Sequence, residues 1–333
     1  MLSIIIINFR SAELIMDCLA SIKAQTTRIT YEIIIVDNSQ DVVGKQRILQ
    51  AYPGVQWLDM GYNAGFARAN NKGIQASQGD AVLLLNPDTI ILENTLEHVY
   101  PMFMGSGAAA CGVQLLNEDR SPQIAGNFAM TGGLNYLLPL PYLGSFLKWL
   151  GNTLHVSKPN IGEASNIEHV DWINGAFLMV RTSILSKTGL LDEDFFLYAE
   201  EAEWCHRLKM QGEMLIYGNY HILHLQGETA NDAFESEGKG YYNLYDKKGR
   251  QLIISNFLRI RKQFGAGWFL FDTLMYTIDI PIFIICLLLA NVFKGKRPFK
   301  GFKQVGGFIK NVGVLWLYTP RILRGKPYFY KLL

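Results

Sequence analysis

Two aspartates, Asp37 in "YEIIIVDNS" and Asp88 in "AVLLLNPDT", each stand where an apolar run stops. A histidine, His224 in "HLQGET", and an acid cluster, Glu200, Glu201 and Glu203 in "YAEEAEWCHR", lie much farther along the chain. Carboxylates and an imidazole meeting at one point would make an oxygen and nitrogen donor set for a divalent cation. A carboxylate held near an alcohol could take its proton as a general base. Each residue also has a plain reading. Asp, Asn and Pro are common where strands end, acids opening a helix complement its dipole, and a histidine at a strand end can simply be hydrogen-bonded in place. His221 has only the plain reading.

Such groups can meet only if the strands that carry them end on one side of a sheet. "LSIIIINF" (2–9) and "YEIIIVDNS" (31–39) are β-rich and unbroken, as strands covered on both faces are. "VQWLDMG" (55–61) and "AVLLLNPD" (81–88) read as a third and a fourth strand. Between them, "SAELIMDCLASIKAQ" (11–25) puts Leu14, Ile15, Cys18, Leu19 and Ile22 on one helical face, and "AGFARANNKGIQASQ" (64–78) is a second helix. Alternating strands and helices imply a parallel sheet, with ligands bound outside the carboxyl ends of the strands. Asp37 and Asp88 both fall at that edge. Residues 105–165 carry Gly, Pro and Asn clusters and read as loops over the site. "GAFLMVR" (175–181) and "EMLIYG" (213–218) read as strands, "EEAEWCHRLKMQG" (200–212) as a helix closing on Gly212, and 238–263 as a basic helix-like segment.

The stretches "IIIINFRSAELIMDCLASI", "IIIVDNS", "GYNAGFARANNKGI", "LLLNPDT", "WINGAFLMVR", "DEDFFLYAEEAEWCHR" and "HLQGET" together resemble, in order and spacing, the motifs of inverting glycosyltransferase family 2, rhamnosyltransferase-like branch. The resemblance runs over roughly residues 2–262. It implies the GT-A fold, an α/β arrangement with a mainly parallel, Rossmann-like sheet and helices on both faces, here followed by a helical C-terminal extension. It also implies a nucleoside-diphosphate sugar donor and Mg²⁺ or Mn²⁺.

Residue by residue, Asp88 falls on the metal-contacting carboxylate of the family's DxD-type motif, while Asn86 stands where many members carry Asp. An amide is the poorer ligand, and it could face a ribose or a water-bridged metal instead. His224 falls on the histidine that completes the metal shell. Asp37 corresponds to the position that hydrogen-bonds the nucleobase and ribose, which suits a pyrimidine. Asn63, Gly65 and Phe66 precede a helix N-terminus suited to phosphate or ribose, with Arg68 and Asn70 as further donor contacts. Glu201 occupies the general-base position, where the family has Asp, and Glu200 precedes it. Glu203 is the next candidate base, and Arg207 reads as a partner for the acids of its own helix or as a ligand contact. Trp172, Asn174, Gly175 and Glu200 would line the acceptor side. Tyr241, Tyr242 and Lys247 are candidates for a diphosphate contact.

Charge divides the chain. Residues 1–246 hold 15 Lys+Arg against 27 Asp+Glu, whereas residues 247–333 hold 16 against two, Asp272 and Asp279. Such a tail, rich also in aromatic and aliphatic residues, fits an anionic membrane surface better than nucleic acid. "WFLFDTLMYTIDIPIFIICLLLANVF" (268–293) is long enough to span, but the two acids and Pro281 interrupt it. A helical cap on the catalytic part, or a homodimer surface, is the alternative. The four cysteines form no CxxC pair, which argues against a zinc ribbon and for a reducing compartment. The apolar N-terminus is too short for a signal peptide and reads as a strand.

These readings predict a catalytic domain over residues 1–235, its nucleotide-binding part about 1–100 and its acceptor part about 101–235, followed by a membrane-associating extension over 236–333. The expected activity is metal-dependent, inverting hexosyl transfer. L-rhamnose from dTDP-L-rhamnose would move to a polyprenyl-diphosphate-linked glycan at the cytoplasmic face of a bacterial inner membrane, in cell-surface polysaccharide assembly. UDP-galactose or UDP-N-acetylhexosamine are alternative donors, and a catalytically inactive sugar-binding module is the alternative without an enzyme. No QxxRW motif of processive synthases is present, so one sugar per encounter is expected.

Overall fold

The unbroken apolar run at the N-terminus forms strand β1, Leu2–Asn8, whose first five residues are all buried, so both of its faces are covered. The computed structural model describes residues 1–129, 132–225 and 243–332. Beside β1 lie β2 (Tyr31–Asp37) and β4 (Ala81–Leu85), both parallel to it, and β3 (Gln56–Asp59) follows β2, also parallel. Helices α1 (Ala12–Gln25), α2 (Val42–Ala51) and α3 (Gly65–Ala76) connect these strands. In α1 the buried positions are Ile15, Cys18, Leu19 and Ile22, as the helical spacing requires. Helix α2 was not legible as an amphipathic run, because it buries only Gly44 and Ile48. Its start is fixed by Asp41, whose side chain accepts from the Gly44 amide at 2.8 Å.

The rest of the sheet is built from later strands: β5 (Thr89–Ile91), β6 (Ala110–Leu116), β7 (Pro122–Gln123), β10 (Ile167–Val170), β12 (Phe177–Arg181) and β13 (Met214–His224). The order is β10-β13-β6-β12-β4-β1-β2-β3, with β5 paired to β13 and β7 to β6, ten strands in all. β12 runs antiparallel between β4 and β6, while β13 is parallel to β6. A small second sheet joins β11 (Trp172–Ile173), β8 (Gly126–Asn127) and β9 (Asn160–Ile161). Helix α4 (Thr95–Ser106) follows β5, and the short helix α6 (Leu185–Thr188) lies beyond β12.

Several expected boundaries are corrected. Residues 105–165 are not one loop region, since they supply β6 in the middle of the sheet and the helix α5, Leu143–Thr153. The strand expected over 213–218 continues to His224, past a bulge between Tyr217 and His221, so both histidines stand within it. The basic helix begins at Lys247.

The chain divides into two compact units that interleave in sequence. One comprises Met1–Met130, Pro159–Phe196 and Glu200–Thr229; the other comprises Thr131–Lys158, Leu197–Ala199 and Ala230–Leu333. The boundary expected at residue 235 lies outside the described residues. In the second unit, helix α8 (Lys247–Phe293) is interrupted at Gly265, where φ is 88°, and packs along α9 (Phe302–Arg324). Tyr276 is a hub of this packing, its ring 4.9 Å from Phe257 and 6.2 Å from Phe308. By length and composition α8 could cross a membrane.

Candidate active site

Asn86, Pro87 and Asp88 form the turn between β4 and β5. Proline ends the β4 ladder because it has no amide to donate. Thr89 locks the turn, its hydroxyl donating to the Asn86 carbonyl at 2.8 Å. β5 then pairs antiparallel with β13, Thr89 opposite His224, and the Leu225 amide donates to the Asp88 carbonyl at 2.9 Å. Sheet register therefore carries His224 to the turn across 136 residues of sequence. His224 Nε2 lies 3.6 Å from Asp88 Oδ1 and 3.3 Å from the Asn86 amide nitrogen. Burial holds the imidazole below its ordinary pKa and favours the neutral ring, against the opposing pull of the Asp88 carboxylate. Its other nitrogen, Nδ1, lies 2.9 Å from Gln123 Oε1. Because that oxygen can only accept, the hydrogen belongs on Nδ1 and the Nε2 lone pair faces Asp88. The Gln123 amide nitrogen in turn donates to Asn117 Oδ1 at 2.8 Å and to the His224 carbonyl at 2.6 Å.

The same turn reaches the second group. The Asn86 amide donates to the Ala176 carbonyl at 3.0 Å. Next to Ala176, Gly175 is flanked by Glu201 and Phe66: a Cβ there would stand 3.5 Å from Glu201 Cγ and 3.9 Å from the Phe66 ring. Glu201, half-buried in the first turn of helix α7 (Glu200–Lys209), thus shares a neighbourhood with the β4 turn. The two residues before this helix, Tyr198 and Ala199, adopt φ of 73° and 69°. Left-handed backbone at two consecutive non-glycine residues is costly and tends to be kept at functional sites. Nothing in the sequence announces it.

The third group surrounds the end of β2. Asp37 is buried, with Oδ1 accepting from Asn8 Nδ2, the Ser39 amide and the Ser39 hydroxyl, and Oδ2 from the Asp41 amide at 2.9 Å. Its carboxylate therefore organises the loop after β2. Asn38 ties that loop to α3, its Nδ2 donating to the Gly65 carbonyl at 2.9 Å and its Oδ1 accepting from the Ala64 amide. Asn63 Oδ1 accepts from the Gly65 amide at 3.1 Å. Gly65 has φ of +75°, and a Cβ there would fall 2.1 Å from the Phe196 carbonyl oxygen. That oxygen accepts from the Phe66 amide at 2.9 Å.

Several of the other expected site residues are also held by defined contacts. Asn70 is buried and donates to the Phe66 carbonyl of its own helix at 3.0 Å. Arg68 reaches the Glu193 carbonyl at 3.2 Å. Asn174 holds a turn, donating to the Ile124 carbonyl and accepting from the Ala176 amide. Trp172 lies in the small sheet opposite Asn127, and among the described residues its Nε1 has no hydrogen-bond partner. Glu200 is buried. Glu203 and Arg207 pair on one face of α7, at 2.6 Å, and Arg207 also donates to the Thr188 and Leu190 carbonyls. Lys247 opens helix α8 in the second unit, and Tyr241 and Tyr242 lie outside the described residues. Gln123 and Asn38 are the residues that sequence reasoning missed.

Comparison with known proteins agrees with this architecture. Residues 3–156 match the family Glycosyl transferase family 2, a stretch that includes the β4 turn and stops short of Glu201 and His224. A Haloferax volcanii protein named low-salt glycan biosynthesis hexosyltransferase is 27% identical over 219 residues, 63% of this chain and 62% of the relative, so the match spans less than two thirds of that protein. The rhamnosyltransferase WbbL of Escherichia coli K12 is 27% identical over 267 residues, 77% of this chain and 96% of the relative. Among solved structures, a Pyrobaculum calidifontis mannosyltransferase, in complex with GDP-Man and Mn²⁺, superimposes with a TM-score of 0.52 at 15% identity, covering 96% of this chain and 81% of that one. This likeness shows the GT-A-like fold.

Proposed function

We propose that this chain, which carries a glycosyltransferase family 2 domain, is an inverting, metal-dependent hexosyltransferase that moves a sugar from a nucleoside diphosphate to a lipid-linked glycan. The donor we favour is dTDP-L-rhamnose, supported by likeness to a protein named as a rhamnosyltransferase over nearly that protein's whole length. The setting is bacterial cell-surface polysaccharide assembly at the cytoplasmic face of the inner membrane.

The observation that carries this reading is the approach of Asp88, Asn86 and His224 at the end of β4, beside the Gly175–Glu201 contact. One carboxylate oxygen and one neutral imidazole nitrogen fit a hard divalent cation that fills its shell with waters and diphosphate oxygens, while Asn86 turns its amide nitrogen to the ring. Among the described residues no group of three His, Cys, Asp or Glu side chains could hold an ion by itself. Asp88 and His224 would hold Mg²⁺ or Mn²⁺, which when bound would neutralise charge developing on the departing diphosphate. The fold relative's complex with Mn²⁺ and a sugar nucleotide supports the same chemistry.

The chain's own residues supply the rest. Glu201 is the base that takes the proton from the attacking acceptor hydroxyl. Gly175 leaves room for that hydroxyl against Glu201 and Phe66, and half-buried Trp172 would offer an apolar face to the acceptor sugar. At the donor end, Asp37 and Asn38 shape the loop that would seat the nucleobase.

The test is donor cleavage over a panel of dTDP- and UDP-sugars, with and without Mg²⁺ or Mn²⁺, in wild type and in Glu201→Gln. Specific metal-dependent cleavage of dTDP-L-rhamnose, lost in the variant while donor binding persists, is the expected result. Cleavage of a UDP-sugar instead would reassign the donor. No cleavage of any donor would overturn the reading in favour of a sugar-binding module.

A further inference from the structure

After Gly265, helix α8 is patterned inside out. Its inward face carries Asp272, Thr273, Tyr276, Asp279 and Asn291, all buried, and both aspartates are 0% exposed. Neither aspartate oxygen pair has a hydrogen-bond partner among the described residues. On the opposite side, Phe271, Leu274, Ile278, Ile285, Leu289 and Val292 are all exposed, from 38% at Phe271 to 62% at Val292. Their spacing of three, four and seven residues draws one stripe along the helix, roughly 30 Å long at 1.5 Å per residue. No charged residue falls in it. Exposing such a stripe to water is unfavourable, and contiguous apolar patches of this kind mark interaction surfaces.

The stripe ends in a cationic connector. Lys294, Lys296, Arg297 and Lys300 are all exposed, with Phe293 and Phe299 standing out between them at 85% and 72% exposure. Residues 280–333 contain ten Lys and Arg and no Asp or Glu. Apolar stripe, protruding aromatics and clustered cations are complementary to one kind of partner, a bilayer bearing anionic headgroups.

We propose that the outward face of α8 lies flat in the interface of an anionic phospholipid leaflet, with the 294–300 connector at the headgroups, and that α8 does not cross the bilayer. Two features select lying over crossing. The inner face of α8 carries the buried acids Asp272 and Asp279 and packs along α9, so the exposed apolar residues form a stripe on the outer face. And α9 exposes Lys303 and Lys310 along its own length, so the pair could not be sunk together into hydrocarbon. This inference deepens the reading of a lipid-linked acceptor, but membrane binding and turnover are measured separately, so either can fail alone.

The test is flotation of the full chain with vesicles of phosphatidylcholine alone or with phosphatidylglycerol added, together with carbonate extraction of membranes from expressing cells. Wild type should float with the anionic vesicles, bind less as salt rises, and be released by carbonate. The double variant Ile278→Glu/Ile285→Glu changes only outward positions, and its fold is checked by circular dichroism. It should partition about tenfold more weakly, as should replacement of the four connector cations by Gln. Retention after carbonate treatment would overturn the flat placement. Unchanged vesicle binding in both variants would overturn the assigned surface. A wild-type dimer that the double variant converts to monomer, without any lipid binding, would assign the face to a second copy instead.

Discussion

Gln123 grips His224 at two points, its Oε1 lying 2.9 Å from the ring Nδ1 and its Nε2 donating to the backbone carbonyl at 2.6 Å. The first contact fixes the tautomer and the second fixes the strand that carries the ring. Gln123→Leu should therefore weaken Mn²⁺ binding about tenfold to a hundredfold, read by calorimetry. It should also release the ring from the Nδ1–H tautomer, read by ¹⁵N NMR of the metal-free protein. Gln123→Glu keeps an acceptor for Nδ1–H and should retain that tautomer. An unchanged tautomer in the leucine variant would remove Gln123 from this role.

Gly65 has no room for a side chain and a backbone that disfavours one. Gly65→Ala should lower stability by about 2–4 kcal/mol, from left-handed strain plus displacement of the Phe196 carbonyl. Chemical denaturation would show it as a lower midpoint, and a midpoint equal to wild type would contradict the packing described.

Glu201 and Glu203 stand two residues apart and should behave oppositely. Glu203→Gln leaves Arg207 without its charge partner and should cost about 3 kcal/mol of stability. Glu201→Gln should leave stability within about 0.5 kcal/mol and lower kcat by 10²–10⁴, the order of general-base catalysis. Thermal unfolding and steady-state rates of the two variants separate the roles.

Burial pushes the carboxyls of Asp272 and Asp279 up to about 7. Folded, they bind protons more tightly than unfolded, so their contribution to stability is full below about pH 4 and is lost as pH rises through about 7. In detergent-free solution the second unit should unfold more readily at pH 8 than at pH 5.5. Asp272→Asn and Asp279→Asn should each recover on the order of 1–3 kcal/mol at pH 8 and flatten that dependence. Hydrogen exchange along α8 is the measurement, and equal protection at both pH values would contradict the buried, unpartnered acids.

Much of the frame was legible because the signals were strong and local. Short runs of β-branched and aliphatic residues bounded by turn residues read as covered strands, and Asp37 and Asp88 follow runs of four and five such residues. The strand β6 was illegible for a physical reason: "ACGVQLL" interrupts its apolar run with Gly112 and Gln114. Both are demanded by tertiary contacts, Gly112 by crowding against Ile173 and Ile216, Gln114 by bonds to the Gln123 carbonyl and the Ala164 amide. Gln123 was invisible for the same reason, since a two-residue strand has no periodicity and its partner lies 101 residues away. Asn70 and Asn174 shared polar, motif-like surroundings with the site residues, and only their hydrogen bonds, to the Phe66 and Ile124 carbonyls, reveal a role in holding the backbone. Glu200, Glu201 and Glu203 all open one helix, as read, and the Arg207 contact singles out Glu203 as its ion-pair partner.

The late position of β13 in the sequence has a consequence for synthesis. This strand is wedged between β10 and β6, yet it ends at residue 224. At about 5–20 residues per second, a ribosome would have extruded β1 to β4 many seconds before that slot could be filled. Until β12 and then β13 emerge, the nascent chain presents first an open β4 edge and then an open β6 edge, which makes the interval a natural point for chaperone capture.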